Sequence, residues 1–177
     1  MAGILYSQIN SPLLHTLRKA ISREDISPIV PDWCKEGVEW NSHCTLYYGL
    51  TNQDGTGVTK DSLPEIVDFL QCFLADNAEL VFVPKKCEVF ENPNWDCLVV
   101  TSVAGGLNAL HEAFQKRFNY KGSEYPYNPH VTLGYVKKGL GKDYANKFNT
   151  GYAGHKAMTV NNIVIEFEDG FKHKIYV

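Results

Sequence analysis

The sequence predicts a globular protein of mixed helices and strands, built from two halves in which the elements follow the same order. Its 177 residues are the length of one domain, or of two small lobes that share one core. A hydrophobic fraction of 44% and a charged fraction of 21% are typical of such proteins and exclude a disordered, collagen-like or coiled-coil chain. We therefore expect residues 1–177 to form a single domain with two lobes.

The first half predicts a strand, a helix, a loop, a strand, a second helix and two further strands. Ser11 and Pro12 open the first helix, because a hydroxyl residue suits the N-cap and proline suits the first turn. In the second helix, apolar residues from Ile66 to Leu74 recur at helical spacing. The predicted elements are strands at 3–9, 43–50, 79–91 and 95–102, helices from Ser11 to about Ser22 and from about Ser62, and an irregular stretch at 23–41.

The second half repeats this order. Apolar residues from Leu107 to Phe118 fall on one face of a predicted helix. The predicted elements are a helix at about 106–119, an irregular stretch at 122–129, a strand at 130–136, a short helix at about 142–149, and strands at about 159–168 and 171–176.

Charge and hydropathy limit the partners that the protein can have. Seventeen basic and twenty acidic residues leave a net charge of −3, whereas affinity for long nucleic acid comes largely from neutralising phosphates. A small anionic ligand, held by a few placed groups, fits this balance better. No apolar run approaches the roughly 18 to 20 residues that a membrane span needs, and the first eight residues do not resemble a signal peptide. We expect no membrane contact and no obligate protein partner.

The five cysteines predict reduced thiols rather than a disulfide framework or a zinc site. Their number is odd, and no two have the C-x-x-C spacing of zinc ribbons. Three lie within apolar runs, where a free cysteine behaves as a small hydrophobic residue. This cysteine usage indicates a cytoplasmic protein.

A four-residue motif, His-x-Thr-Leu, occurs at the start of the middle strand in both halves. The first copy is His43-Cys44-Thr45-Leu46, and the second is His130-Val131-Thr132-Leu133. A single His-x-Thr would carry little weight, but two copies at matched positions argue against coincidence. The other histidines lack such a partner, and we expect them on the surface or in helices.

The spacing of the motif places its polar residues on one face of a strand. Residues i and i+2 of a strand face the same side, so His43 and Thr45 share one face while Cys44 and Leu46 point to the other. If the two strands are neighbours, two imidazoles and two hydroxyls meet in one cleft. Paired histidines can remove a proton from an attacking hydroxyl and supply one to a leaving oxygen. The threonines can donate hydrogen bonds to phosphate oxygens, and no metal or other cofactor is required.

The two motifs resemble the signature of the 2H phosphoesterase superfamily, also called the 2′-5′ RNA ligase-like family. The second copy with its surroundings, residues 125–139, is most similar to bacteriophage members, some of which destroy the cyclic oligonucleotide messengers of CBASS antiviral defence. The resemblance implies a bilobal α+β fold, with two antiparallel sheets related by pseudo-twofold symmetry around a central cleft and helices outside. It also implies metal-independent catalysis by His43 and His130, with Thr45 and Thr132 holding the phosphate.

Four further residues are candidates for substrate binding. Relatives often present an aromatic residue to a nucleobase near the position of Tyr6. Tyr47, two residues past Thr45, would line one wall of the cleft, where Gly134 stands in the second half. Both tyrosines either stack on a base or simply fill space. Lys137, followed by Lys138 and Lys142, could attract an anion or form an ordinary solvated face.

Two tryptophans in the loop before the first motif complete the candidates. Trp40, together with Trp33, either forms a lid or stacking platform or fastens the loop to the core.

Three functions remain open from the sequence. The leading one is hydrolysis of 3′,5′-phosphodiester bonds in cyclic di- or trinucleotides. A second is cleavage of 2′,3′-cyclic or 2′,5′-linked phosphodiesters at RNA ends or in oligoadenylates. A third is sequestration of a nucleotide without turnover, against which both histidine–threonine pairs argue, because a binding protein needs no paired acid and base.

Overall fold

A computed structural model describes residues 3–77, 80–103, 105–123, 125–150 and 156–177. The strands are β1 Gly3–Gln8, β2 His43–Leu50, β3 Val81–Phe82, β4 Pro84–Glu91, β5 Trp95–Ser102, β6 His130–Lys137, β7 Met158–Thr159, β8 Asn162–Glu166 and β9 Lys172–Tyr176. The helices are α1 Pro12–Lys19, α2 Leu63–Asp76, α3 Gly105–Phe118 and α4 Gly141–Thr150. Short 3₁₀ turns lie at Arg23–Asp25, Asp32–Cys34 and Lys60–Ser62.

Seven strands form one antiparallel sheet in the order β4-β5-β6-β2-β1-β8-β9. The two motif strands, β2 and β6, are neighbours at its centre, and they pair only at Cys44 and Val131. This single pair divides the sheet into a three-stranded and a four-stranded part, which correspond to the two sheets that the resemblance implied. A separate two-stranded sheet is formed by β3 and β7. The predicted α+β class is confirmed.

All four helices pack against the same face of the seven-stranded sheet. Their apolar residues belong to one buried cluster with Leu5 of β1, Cys44 of β2 and Val131 of β6. Complete burial of one such leucine stabilises the fold by roughly 1.5–3 kcal/mol. The helices therefore lie outside the sheet, and the opposite face of β2 and β6 is left to their polar residues.

Two predicted strands are each divided in the structure. The segment predicted at 79–91 becomes β3 and β4, and the segment predicted at 159–168 becomes β7 and β8; residue 79 lies outside the described part of the chain. In both places the chain leaves the two-stranded sheet for the large one. The backbone between β3 and β4 is held by Val103, whose N–H donates to the carbonyl of Val83 at 3.0 Å. Alternation of apolar residues alone does not reveal such a transfer between sheets.

The first helix ends earlier than the sequence predicts. It stops at Lys19, and the predicted last turn is replaced by a 3₁₀ turn at Arg23–Asp25 with the Ser22 hydroxyl as its N-cap.

A β-bulge interrupts both motif strands at the leucine of the motif. In β2, Tyr6 pairs with Thr45 and Leu5 pairs with Tyr47, so Leu46 is the extra residue. In β6, Val99 pairs with Thr132 and Leu98 pairs with Gly134, so Leu133 is the extra residue. A bulge re-aims the side chains that follow it and often lies beside an active site. The alternation assumed from the sequence therefore holds from the histidine to the threonine and fails immediately afterwards.

No helix in the described ranges is both long and apolar enough to cross a lipid bilayer.

Candidate active site

The structure brings the two histidines and two threonines together on one face of the sheet. Because Cys44 pairs with Val131 in antiparallel register, His43 lies beside Thr132, and Thr45 lies beside His130. All four side chains are half-buried, whereas Cys44 and Val131 are fully buried on the opposite face. Each histidine therefore faces the threonine of the other motif.

The two imidazoles are oriented by the same local bond. Nδ1 of His43 lies 2.8 Å from the carbonyl oxygen of Asn41, and Nδ1 of His130 lies 2.7 Å from that of Asn128. A carbonyl oxygen can only accept, so in each ring Nδ1 carries the hydrogen. Nε2 is then the atom that can take up or release a proton. The sequence did not predict this bond, because its acceptor is a backbone carbonyl that any residue could supply.

An aromatic ring also packs edge-on against each imidazole. The centroid of Tyr6 lies 5.3 Å from that of His43, and the centroid of Phe90 lies 4.8 Å from that of His130. Tyr6 was a candidate from the sequence, and its hydroxyl contacts the ammonium group of Lys172. Phe90, on β4, was not a candidate, because nothing in the sequence shows that a residue 40 positions before His130 approaches it. The cleft thus offers an aromatic surface on both sides.

The pKa of His130 is lowered from its ordinary value of 6.5. Burial is the main cause, since it disfavours the charged imidazolium. The bond to Asn128 opposes the shift, and repulsion from His43 adds to it. The neutral form of His130, which can accept a proton, therefore predominates at neutral pH.

Tyr47 does not line the cleft, which corrects its assignment as a wall residue. Its side chain is 2% exposed, and its hydroxyl donates to the carbonyl of Tyr120 at 2.7 Å. The bulge at Leu46 is the physical reason, because it turns Tyr47 to the core face beside Leu5. Gly134, at the matched position in β6, packs against the backbone of Gly37. A Cβ atom added to Gly134 would lie 2.8 Å from the Gly37 carbonyl oxygen, which is too close. The asymmetry between the two positions is therefore one of packing.

Lys137 lies at the wrong end of its strand to contact the two histidines. It is the last residue of β6, seven positions from His130, and this corresponds to about 23 Å at the rise of a strand. The two lysines that follow it are paired with acids: Lys138 Nζ lies 3.0 Å from Asp96, and Lys142 Nζ lies 3.1 Å from Glu91. The alternative interpretation, a solvated face, fits these three lysines.

The tryptophans of the loop before β2 differ in their contacts. Trp33 packs edge-on against Tyr135 of β6, at 5.7 Å between centroids, which fastens the loop to the sheet. Trp40 packs against His15 of α1 at 5.6 Å and remains 46% exposed. Trp40 stands three residues before His43, and its contact with substrate stays a prediction.

His111 of α3 is a supporting residue that the sequence did not single out. Its Nδ1 lies 2.7 Å from the carbonyl of Leu46, and the ring of Tyr127 stacks on it at 3.9 Å. That carbonyl belongs to the extra residue of the bulge, and His111 supplies a donor to it. In β6, the N–H of Glu39 does the same for Leu133 at 3.0 Å.

Cys44, the cysteine of the first motif, does not face the cleft. Cys44 is fully buried, and burial raises the pKa of its thiol to about 12, so it stays protonated and unreactive at neutral pH. Within the described ranges, no three His, Cys, Asp or Glu side chains are grouped so that they could hold a metal ion.

Comparison with known proteins finds a shared fold. No protein-family profile matches the chain, and no curated protein sequence matches it significantly. The structure of Usb1 from Kluyveromyces marxianus superposes with a TM-score of 0.57 and 10% identity, over 99% of this chain and 97% of Usb1. Usb1 with uridine monophosphate gives 0.58 and 10% identity, over 99% and 98%. LigT from E. coli gives 0.47 and 14% identity, over 100% and 96%.

The protein therefore has the fold of Usb1. The fold that the two motifs implied is confirmed. At 10% identity, the fold is what the two proteins are shown to share.

Proposed function

We propose that the protein is a metal-independent phosphodiesterase that cleaves ribonucleotides by paired-histidine catalysis. One observation carries the proposal: two imidazoles, each with Nδ1 bonded to the carbonyl two residues earlier, share one face of two neighbouring strands. This arrangement presents two Nε2 atoms to one ligand. A general acid and a general base at such positions typically each increase the reaction rate by about 10²–10⁴-fold.

The ribose 2′-hydroxyl is the attacking group in this mechanism. His130, whose neutral form is favoured, takes the 2′-hydroxyl proton on Nε2, and the 2′-oxygen forms a bond to phosphorus. The bond from phosphorus to the 5′-oxygen breaks as His43 donates its Nε2 proton to that oxygen. Thr45 and Thr132 donate hydrogen bonds to the non-bridging oxygens, where negative charge increases in the transition state. The products are a 2′,3′-cyclic phosphate and a free 5′-hydroxyl, and water can open the cyclic phosphate with the histidine roles exchanged.

The substrate class that we propose is a cyclic di- or trinucleotide with 3′,5′ linkages. Tyr6 and Phe90 flank the two histidines, so bases on both sides of the scissile phosphate can reach an aromatic ring, and such stacking is worth about 1–3 kcal/mol per base. The net charge of −3 favours a small anion over long RNA. In the biological setting that the sequence resemblance suggests, the reaction would remove CBASS messengers in the cytoplasm of an infected bacterium.

A second candidate is cleavage of 2′,3′-cyclic or 2′,5′-linked phosphodiesters at RNA ends. The structure of Usb1 with uridine monophosphate favours it, because a protein of the same fold binds a single ribonucleotide.

A substrate panel with product analysis tests the function. The protein would be incubated in EDTA with cyclic dinucleotides, cyclic trinucleotides, 2′,5′-oligoadenylates and 2′,3′-cyclic mononucleotides. We expect a cyclic oligonucleotide to be opened through a 2′,3′-cyclic phosphate. The matched control is the same ring without a 2′-hydroxyl beside each scissile bond, which should bind but resist cleavage. Hydrolysis of the deoxy ring at an equal rate would refute the mechanism, and tight binding without turnover of any ligand would favour sequestration.

A further inference from the structure

Arg18 is a buried charge directly beside the two motifs. It lies on α1, and only 3% of its surface is exposed. Nη1 donates to the hydroxyl of Ser42 at 2.6 Å, and Nη2 donates to the carbonyl of Thr132 at 2.8 Å. Burial lowers the pKa of the guanidinium to about 10, and Glu39 opposes the shift. Arg18 is therefore still protonated at neutral pH.

One acceptor of Arg18 lies directly before the first motif strand, and the other lies on the second motif strand. Ser42 immediately precedes His43, and Thr132 is the threonine of the second motif. These strands pair with each other only at Cys44 and Val131, so few backbone bonds fix their separation beneath the catalytic face. Arg18 adds two side-chain bonds that cross this weak junction.

The counter-charge of Arg18 supports the same histidine. Glu39 is 8% exposed, and its Oε1 accepts from the N–H of Asn41 at 2.9 Å. The carbonyl of Asn41 is the acceptor that orients His43. Arg18 and Glu39 thus hold Ser42 and Asn41, the two residues that precede His43.

Burying an arginine costs free energy that burying an apolar side chain would not cost. Removing a cation from water is unfavourable unless it is paired and hydrogen-bonded, and among the described residues Nε of Arg18 has no hydrogen-bond partner. An apolar side chain could fill the same space. What an apolar residue could not do is bond to Ser42 and Thr132 at once, because that requires the planar fork of the guanidinium.

We propose that Arg18 is a positioning residue, whose two bonds set the separation between His43 and the second motif. The expected loss of activity rests on the proposed function. The positioning of His43 by Arg18 is a structural claim that does not depend on it. A displacement of about 1 Å at a catalytic group can cost about 100-fold in rate.

The test compares Arg18→Met, Arg18→Lys and Ser42→Ala with wild type, and Lys19→Met on the exposed end of α1 is the matched control. Turnover is expressed per folded molecule, with the folded fraction measured by circular dichroism. We expect kcat to fall about 10- to 100-fold in Arg18→Met, less in Arg18→Lys and Ser42→Ala, and KM to change less than kcat. Lys19→Met should match wild type.

The second measurement needs no substrate. In the ligand-free protein, the NMR signals of the Nδ1 protons of His43 and His130 report their bonds to the backbone. We expect the His43 signal to broaden or shift in the Arg18 and Ser42 variants and to be unchanged in Lys19→Met. If wild type cleaves no nucleotide, the proposed function fails, and this signal still decides the positioning role.

A purely structural role gives a different result. In that case Arg18→Met would reduce the folded fraction, while the folded molecules would keep the wild-type kcat and imidazole signals, and the proposal would be overturned. If Arg18→Met does not fold, Ser42→Ala and Arg18→Lys decide in the same way, since each keeps the buried volume largely intact.

Discussion

Replacing His130 with asparagine distinguishes the proposed proton transfer by His130 from its contribution to the stability of the fold. The asparagine amide nitrogen occupies nearly the position of the imidazole Nδ1, so it can still donate to the carbonyl of Asn128, which lies 2.7 Å from Nδ1 in the native protein. The variant loses Nε2, which is the proposed proton acceptor. An alanine variant would remove both groups and could not distinguish them.

The expected effects on activity and on stability differ widely. Loss of a general base should lower kcat by about 10²–10⁴-fold. The fold loses mainly the edge contact with Phe90, which at 4.8 Å is a typical aromatic pair worth about 0.5–1.5 kcal/mol. For a chain of this length, 1 kcal/mol corresponds to a change in Tm of roughly 2–4 °C. The variant should therefore be folded and nearly inactive.

The assay is single-turnover cleavage of the best cyclic oligonucleotide, with thermal unfolding measured in parallel. His173→Asn, on the edge strand β9 three strands away from β2, is the matched control and should retain wild-type kcat. If His130→Asn keeps kcat within a few-fold of wild type, His130 does not transfer a proton and the proposed mechanism is wrong.

Four further predictions follow from the same geometry. Thr45→Val and Thr132→Val should each lower kcat by about 10²–10³-fold, the usual worth of one donor to a developing oxyanion, while circular dichroism shows an unchanged fold. Because the pKa of His130 is lowered from 6.5, the unfolded chain binds the proton first as the pH falls. The free energy of unfolding in urea should therefore decrease from pH 6.5 down to the folded-state pKa, and His130→Asn should lack this decrease. Activity should persist in excess EDTA, and its loss with rescue by a divalent ion would contradict the metal-free mechanism. Tyr47→Phe should cost about 0.5–1.5 kcal/mol by removing the hydrogen bond to the carbonyl of Tyr120, with kcat unchanged, and a large loss of kcat would show that Tyr47 contacts the substrate.

The part of the site that depends on strand periodicity could be predicted from the sequence. His43 and Thr45 share a face because they are two residues apart, and this holds for any regular strand. Tyr47 was misplaced because the leucine before it is equally compatible with a regular strand and with a bulge. Phe90 was missed because its approach to the cleft depends on the pairing of β4 with β5 and of β5 with β6.

Arg18 was missed for a different reason. An arginine in an amphipathic helix is normally exposed, and only the packed structure shows that α1 crosses the junction of the two motif strands. The distances that decide its role join residues 24 and 114 positions apart, and no local pattern records such contacts.

In the proposed mechanism, two similar histidines in a nearly symmetric cleft must act as acid and base at the same pH. One imidazole must be neutral while the other is charged, so identical surroundings would work against the reaction. The two rings share their orientation, since each Nδ1 bonds to the carbonyl two residues earlier. Their neighbours differ: His130 packs against the phenyl ring of Phe90, which has no polar atom, and His43 packs against the phenol of Tyr6. Burial therefore lowers the pKa of His130, and the repulsion between the rings makes it unfavourable for both to be protonated together. In the proposed mechanism, the repeated geometry places two proton-transfer groups on one phosphate, and the packing that is not repeated favours the neutral form of His130.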